Sequence, residues 1–117
     1  SKDEQDRRFQ RRKNDPLRQW KLSEVDLQAQ SLWDEFTKKK FKMLKKTSTA
    51  DSPWWVIRSD DKHLARLETM KIILKSVRYR GRSRKIDFSI DSNVVISGKK
   101  EIQKMKKQKM KHGKYVR

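Results

Sequence analysis

The stretch SPWWVIRSDDKHLARL, residues 52–67, decides the fold class of this chain. Its continuous apolar run Trp54–Ile57 is typical of a short strand that is covered on both faces, as in a parallel sheet. Asp60 or Asp61 then precedes a helical apolar pattern that extends to about Val77, which is the position of a helix N-cap. The stretch therefore predicts one strand at about residues 54–58, followed by a helix, which is half of an α/β unit.

Helical patterns lie on both sides of this unit. A capping pattern at Ser1 predicts a helix over about residues 2–13, which ends before Pro16 because the residue that precedes proline avoids helical geometry. Ser23 is predicted to cap a long helix to about Lys46. Residues 99–111 predict only a marginal helix or a tail. Because one strand alone cannot satisfy its backbone hydrogen bonds, its neighbours are expected outside this sequence.

Composition limits the core and indicates the kind of partner. Of 117 residues, 32% are hydrophobic and 41% charged, and the net charge is +18. Such a charge predicts a polyanionic partner: nucleic acid, an anionic membrane, nucleotide phosphates or inorganic polyphosphate. The chain has no cysteine and no apolar run near the roughly 20 residues of a membrane span. We therefore expect a cytoplasmic protein without a membrane partner. The first residue is serine and not methionine, which indicates that the natural N-terminus is missing.

Motifs of hydrolytic and redox enzymes are absent from the sequence. It contains no GxSxG, no HExxH and no phosphate-binding GxxxxGK[ST] loop. The Asp60–Asp61 pair suits helix capping better than metal binding or acid–base catalysis. The basic stretch from Arg7 to Lys21 fits a phosphate-gripping segment, because arginine forks match phosphate oxygens. From composition alone, a solvated helix end explains this stretch equally well.

The run EQDRRFQRRKNDPLRQWKLSEVD, Glu4 to Asp26, carries a resemblance to a known family. It resembles the lid segment of the family-2 polyphosphate kinases, whose pattern is EQ-x-RRF-x-x-R-x-x-DP-x-[KR]-x-WKLS-x-x-D. Further matches follow in the same order: Trp33–Asp34, Pro53–Trp54 and Ala65–Arg66–Leu67. The resemblance covers residues 1 to about 79.

The resemblance implies a fold and a reaction. The fold is a P-loop kinase-like three-layer α/β/α sandwich with a helical lid, and this chain is its C-terminal fragment. The reaction is phosphoryl transfer between inorganic polyphosphate and a nucleoside mono- or diphosphate, with Mg²⁺ whose ligands lie outside this chain. The Walker A and Walker B motifs would precede Ser1, so the fragment alone is expected to be inactive. The family also implies a homo-oligomer.

The resemblance also implies roles for individual residues. Arg12 corresponds to the catalytic lid arginine that contacts the transferred phosphates, and Arg8 lies one helical turn earlier on the same face. Lys21 is expected to contact polyphosphate. Lys62 and Arg66 are weaker candidates for nucleotide binding, and a structural ion pair explains them equally well. Trp20 is expected to anchor the lid loop by packing, with stacking on a base as the alternative.

The resemblance divides the chain into two parts. Residues 1–79 are expected to form the lid and the last strand–helix unit of the kinase domain, and residues 80–117 a basic, partly disordered extension of the same domain. The alternative from a different functional class is a basic nucleic-acid-binding or polyanion-binding protein without catalysis. It rests on the charge and on the aromatic residues interleaved with it.

Overall fold

The computed structural model describes residues 1–83 and 85–115, and its architecture is α/β. The helices are α1 (Lys2–Lys13), α2 (Glu24–Ala29), α3 (Trp33–Thr47), α4 (Lys62–Ser76) and α5 (Gly98–His112). The strands are β1 (Trp55–Ile57) and β2 (Val95–Ser97), and a 3-10 turn covers Gln19–Lys21. No helix in the described ranges is long and apolar enough to cross a membrane.

Helix α1 has the predicted bounds because its end signals are local. The Ser1 hydroxyl accepts a hydrogen bond from the Glu4 backbone N–H at 3.3 Å. Acidic residues occupy the first turn and basic residues the last, which suits the helix dipole. The helix ends at Asn14, two residues before the proline.

The predicted long helix over residues 23–46 is wrong, because the chain forms α2 and α3 there instead. Ser23 and Asp26 form a reciprocal capping box at the start of α2. Beyond Ala29, the Gln30 side chain donates to the Lys2 carbonyl at 3.1 Å and to the Gln5 side chain at 2.8 Å. These contacts hold the turn against α1, so α3 starts afresh at Trp33.

Strand β1 has a partner in this chain, which corrects the prediction that all of its neighbours lie outside the sequence. It pairs with β2 in an antiparallel ladder in which Val56 faces Ile96. The Gly98 N–H extends the ladder by donating to the Trp54 carbonyl at 2.7 Å. The parallel arrangement and the two covered faces are also wrong, since Trp55 is 46% exposed. A three-residue strand gives too little pattern for its pairing to be seen in sequence.

The core lies where α3 and α5 pack beside this sheet. Phe41, Leu44 and Met105 form its buried cluster, and Val56 is among the side chains that pack against it. Gly98 at the start of α5 approaches Ser48 after α3. Lys114 after α5 reaches Asp34 near the start of α3 at 3.2 Å, so the two helices are antiparallel.

Helix α5 corrects the prediction of a marginal helix or tail for residues 99–111. Ser97 caps it, and Met105 is only 1% exposed. Glu101 is buried too, and its carboxylate binds Lys40 of α3 at 2.6 Å. This partly buried ion pair joins residues 61 positions apart. Because the partner of Glu101 lies on α3, the sequence around α5 contains no local pattern that predicts this contact.

Helix α4 begins as predicted but does not use its predicted apolar face. The Asp61 side chain accepts from the Leu64 N–H at 3.0 Å, which confirms capping at this position. The buried residues of α4 are Ala65 and Glu68. The Glu68 carboxylate binds Lys71 at 2.7 Å and the Asp91 N–H at 2.8 Å, which ties the segment before β2 to α4. The predicted apolar face stays mainly exposed: Leu67, Met70, Ile73, Leu74 and Val77.

Candidate functional site

A polar cleft of about 350 Å³ lies between α1 and the segment that follows β1. Arg8 and Arg12 line it from α1, and Ser59 and Asp60 line it from the other side. The two arginines are one helical turn apart and share a face of α1, as predicted. The structure therefore brings two cations together opposite the C-terminal end of a strand.

Arg8 links the two walls of the cleft. Its Nη2 donates to the Ser59 carbonyl at 2.9 Å and to the Asp60 carbonyl at 3.2 Å. Its Nε lies 2.6 Å from the Glu4 carboxylate, which also binds Arg7. Partial burial raises the pKa of Glu4, but the hydrogen bonds and charges of Arg7 and Arg8 outweigh this and lower the pKa overall. Arg8 is thus held in place by contacts on both sides of the cleft.

Arg12 has fewer contacts than Arg8. Within residues 1–83 and 85–115, its hydrogen bond is a long one of 3.4 Å to the Lys21 carbonyl. Its guanidinium carbon also lies 5.9 Å from the centre of the Phe9 ring. A guanidinium has five N–H donors, so most of the donors of Arg12 are available to an anion in the cleft.

Lys21 and Trp20 lie outside this cleft. Lys21 is exposed, and its Nζ lies 5.0 Å from the centre of the Trp20 ring. Trp20 is 77% exposed, so the prediction that it anchors the loop by packing is wrong. It holds the loop through a hydrogen bond instead, from Nε1 to the Leu17 carbonyl at 3.0 Å. Because the Lys21 backbone accepts from Arg12, movement of this loop would alter the position of Arg12.

Lys62 and Arg66 line a second, more open groove of about 540 Å³ beside α4. The groove also contacts Ile57 and Ser59, so Ser59 belongs to both the groove and the cleft. The structure therefore gives Lys62 and Arg66 a common surface next to the two arginines. The predicted residues fall into two neighbouring pairs, with Lys21 apart from both.

A third cavity was not expected from the sequence. It has about 420 Å³, and α3, the end of β1 and α5 surround it. Trp33 and Phe36 give it aromatic walls, and the Lys40–Glu101 pair gives it a charged one. Its walls come from segments far apart in the chain, so no local motif marks it.

Carboxylates and histidines do not gather into a metal site in the described parts of the chain. No group of three or more such residues lies close enough together there to hold an ion. The residues present therefore do not by themselves fit a bound divalent cation. Three carboxylates, those of Glu4, Asp26 and Asp60, also line the cleft, and Glu4 pairs with Arg7 and Arg8. Arg12 is therefore the cleft cation whose donors are best placed to bind an anion.

Comparisons with known proteins agree on one family. The family described as Polyphosphate kinase 2 (PPK2) matches residues 1–85. ADP-polyphosphate phosphotransferase 3 of Rhizobium meliloti is 47% identical over 79 residues, which is 68% of this chain and 28% of the relative. NDP-polyphosphate phosphotransferase 2 of Ruegeria pomeroyi is 40% identical over 104 residues, 89% of this chain and 30% of the relative. GDP-polyphosphate phosphotransferase of Pseudomonas aeruginosa is 44% identical over 95 residues, which is 81% of this chain and 27% of the relative.

These matches show which proteins the chain is related to, and which parts of the chain and of its relatives are aligned. The chain spans less than a third of the length of these three relatives. The family match covers α1, the cleft and α4, and so includes each of the five predicted site residues. By this match and these identities, the chain belongs to the polyphosphate kinase 2 family.

Proposed function

We propose that this chain supplies the lid and the C-terminal part of an enzyme that transfers a phosphoryl group between inorganic polyphosphate and a nucleotide. The observation that carries the proposal is the cleft in which Arg8 and Arg12 oppose Ser59 and Asp60. Phosphoryl transfer depends on positioning and on neutralising charge at the transferred oxygens, and a pair of arginines provides both. In this proposal, α1 and the loop to Lys21 form the lid.

Arg12 is proposed as the catalytic arginine. Most of its donors are free of contacts within the described residues, so it can bind the transferred phosphate as charge develops there. Arg8 has two carbonyl contacts to the opposite wall, and we propose that it positions α1 and adds positive charge. Lys21 is proposed to contact polyphosphate outside the cleft, since it is exposed at the end of the same loop.

The nucleotide is proposed to lie by Lys62 and Arg66. Both line the groove that shares Ser59 with the cleft, and ligands in α/β folds bind beyond the carboxyl ends of strands. The three relatives are named for ADP, NDP or GDP. On that basis we place nucleoside diphosphates before monophosphates as acceptors.

The remaining parts of the proposal concern the complete enzyme. Kinases of this family use a divalent metal, and we propose Mg²⁺, with ligands outside the described residues. The proposed fold is a P-loop kinase-like three-layer sandwich, with residues 1–79 as lid and last strand–helix unit and residues 80–117 as extension. A homo-oligomer in the cytoplasm, where nucleotides are available, completes the proposal. The alternative of a non-catalytic nucleic-acid-binding protein rests on the charge and the interleaved aromatic residues, and family membership supports the phosphotransferase instead.

The test is Arg12→Ala in the complete enzyme. Loss of a contact made in the transition state should lower kcat on the order of 10²-fold. Arg8 is a less direct target, because its removal also loosens α1 from the opposite wall. The matched control is Arg11→Ala, which removes an exposed arginine from the same helix outside the cleft. Similar kcat values for the Arg12 variant and the natural enzyme would refute the role assigned to Arg12.

A further inference from the structure

Helix α5 presents a row of lysines on the side that faces away from the core. We call this the α5 lysine face, and its members are exposed: Lys99, Lys100, Lys106, Lys107 and Lys111. Lys99 and Lys106 are two helical turns apart, as are Lys100 and Lys107, or about 10 Å along the axis. The face lies beyond residues 1–85, to which the family match extends.

The α5 lysine face belongs to a fixed element. Met105 is buried in the core on the opposite side of α5, and Glu101 binds Lys40 of α3. The helix has a cap at each end: Ser97 accepts from the Lys100 N–H, and Gly113 ends it with a φ of 71°. Its lysines therefore have set spacings and directions, unlike those of a flexible tail.

The charge of the face is not neutralised within the described part of the chain. None of the ion pairs there involves its five lysines. The acidic residue of α5, Glu101, faces inward. Lysines at i,i+4 spacing, such as Lys107 and Lys111, repel each other and destabilise a helix. Binding of an external polyanion would relieve this repulsion.

We propose that the α5 lysine face binds a distant part of a long polyphosphate chain, as a second holding surface separate from the cleft. The proposal rests on the proposed function. Binding at two sites raises the affinity for a chain long enough to reach both and does nothing for a short one. The surface would therefore select substrates by length and not change the chemistry.

The chemistry of the face favours polyphosphate over nucleic acid. Lysine is a point charge without the planar fork that reads a base edge, which suits a uniform anion. Stacking platforms for bases need exposed aromatic rings, and the face has none. The nearby Tyr115 ring is stacked on Phe41 at 4.6 Å, and Lys109 lies 5.2 Å from its centre.

The experiment changes all five lysines of the face to glutamine in the complete enzyme. At low salt, KM for long-chain polyphosphate should rise about 10-fold or more, with a weaker dependence on salt because fewer counterions are released. KM for tripolyphosphate should stay unchanged. Changing the same five lysines to arginine should preserve the long-chain KM, since it keeps the charges.

The matched control removes exposed lysines from a different helix, α3. These residues are Lys39, Lys42, Lys45 and Lys46. Their change to glutamine should affect the long-chain KM much less. An equal effect would mean that net charge alone matters, and equal changes for long and short substrates, or none, would also overturn the proposal.

Direct binding separates this proposal from the proposed function. Long-chain polyphosphate affinity is measured in the Arg12→Ala background, with and without the five glutamines, so no turnover is needed. If no form of the enzyme transfers phosphate, the proposed function fails, while a tenfold loss of binding still supports the α5 lysine face. An unstructured single-stranded oligonucleotide is tested in the same way. If it binds as tightly as polyphosphate and its binding is lost in the five-glutamine variant, the assignment to polyphosphate is overturned.

Discussion

Helices α4 and α5 have the same length of 15 residues, yet the burial of each is the opposite of what its composition suggests. Helix α4 carries many large apolar side chains and leaves most of them exposed. Helix α5 carries seven lysines and lies in the core through Met105. The number of apolar residues therefore does not decide which helix is buried. What decides it is whether a few side chains meet partners on other elements.

The polar contacts of the two helices follow the same rule. Each helix buries a glutamate that lysine neutralises: Glu68 binds Lys71 within α4, and Glu101 binds Lys40 across to α3. The ion pair of Glu68 stays within α4, and its second contact reaches only the backbone before β2, whereas the ion pair of Glu101 joins two helices. A buried, paired charge is costly to break, so the second pair also specifies how α5 lies on α3.

The largest expected effect comes from Met105→Ala. This side chain is 1% exposed and contacts Phe41 and Leu44. Its truncation should lower the free energy of unfolding by about 2–5 kcal/mol, because a cavity adds to the lost burial. Urea unfolding measures the change. Met110→Ala is the control on the same helix, since Met110 is 87% exposed, and equal losses for both would mean that α5 is not docked.

An intermediate effect is expected from Glu68→Gln, and it depends on pH. The hydrogen bond from Lys71 lowers the pKa of Glu68, and that from the Asp91 N–H adds to it. A lowered folded-state pKa stabilises the fold fully above the ordinary value of about 4.3, and this contribution is lost as the pH falls through the folded value. Glu68→Gln should therefore lower the thermal midpoint near neutral pH and change it little in acid.

Glu35→Gln is the matched control for this pH profile. A hydrogen bond from Lys38 also lowers the pKa of Glu35, but this pair is exposed and lies within α3. Its removal should leave the midpoint nearly unchanged at every pH, as is usual for surface pairs. Parallel profiles for the two variants would contradict a special role for the buried carboxylate.

The smallest effect is expected from Ile73→Gln on the exposed face of α4. Ile73 is 56% exposed, and glutamine is a good helix former, so the free energy of unfolding of this chain should change by less than about 0.5 kcal/mol. Urea unfolding again gives the value. A loss of about 2 kcal/mol or more would mean that the apolar face of α4 is covered in solution, and the contrast with α5 would disappear.

Local signals account for what the sequence predicted correctly. The bounds of α1, the capping of α4 by Asp61 and the position of β1 depend on neighbours a few residues away. The pairing of β1 with β2 joins Val56 to Ile96, and the short apolar run at β2 has no property that identifies its partner. The burial of Glu101 depends on Lys40 in the same way.

The candidate site shows the same distinction between local features, which could be predicted, and long-range contacts, which could not. The common face of Arg8 and Arg12 follows from helical spacing, so it was predictable. Arg8 contacts backbone carbonyls of Ser59 and Asp60, and every residue type has a carbonyl. The opposite wall of the cleft therefore has no signature in the sequence. The exposure of Trp20 was missed for a related reason, because its hydrogen bond to the Leu17 carbonyl substitutes for packing.

The close approach at Gly98 limits how the length of this chain can vary. A Cβ at this position would lie 2.9 Å from the Ser48 hydroxyl and 3.0 Å from the Trp54 Cβ. A one-residue slip would bring a side chain into that space and turn β2 over, which would expose its buried valine. Insertions and deletions are therefore acceptable in the connection between α4 and β2, where loop length costs little. The junction of β2 and α5 does not tolerate such changes in length. It therefore fixes the register of the C-terminal half of the chain.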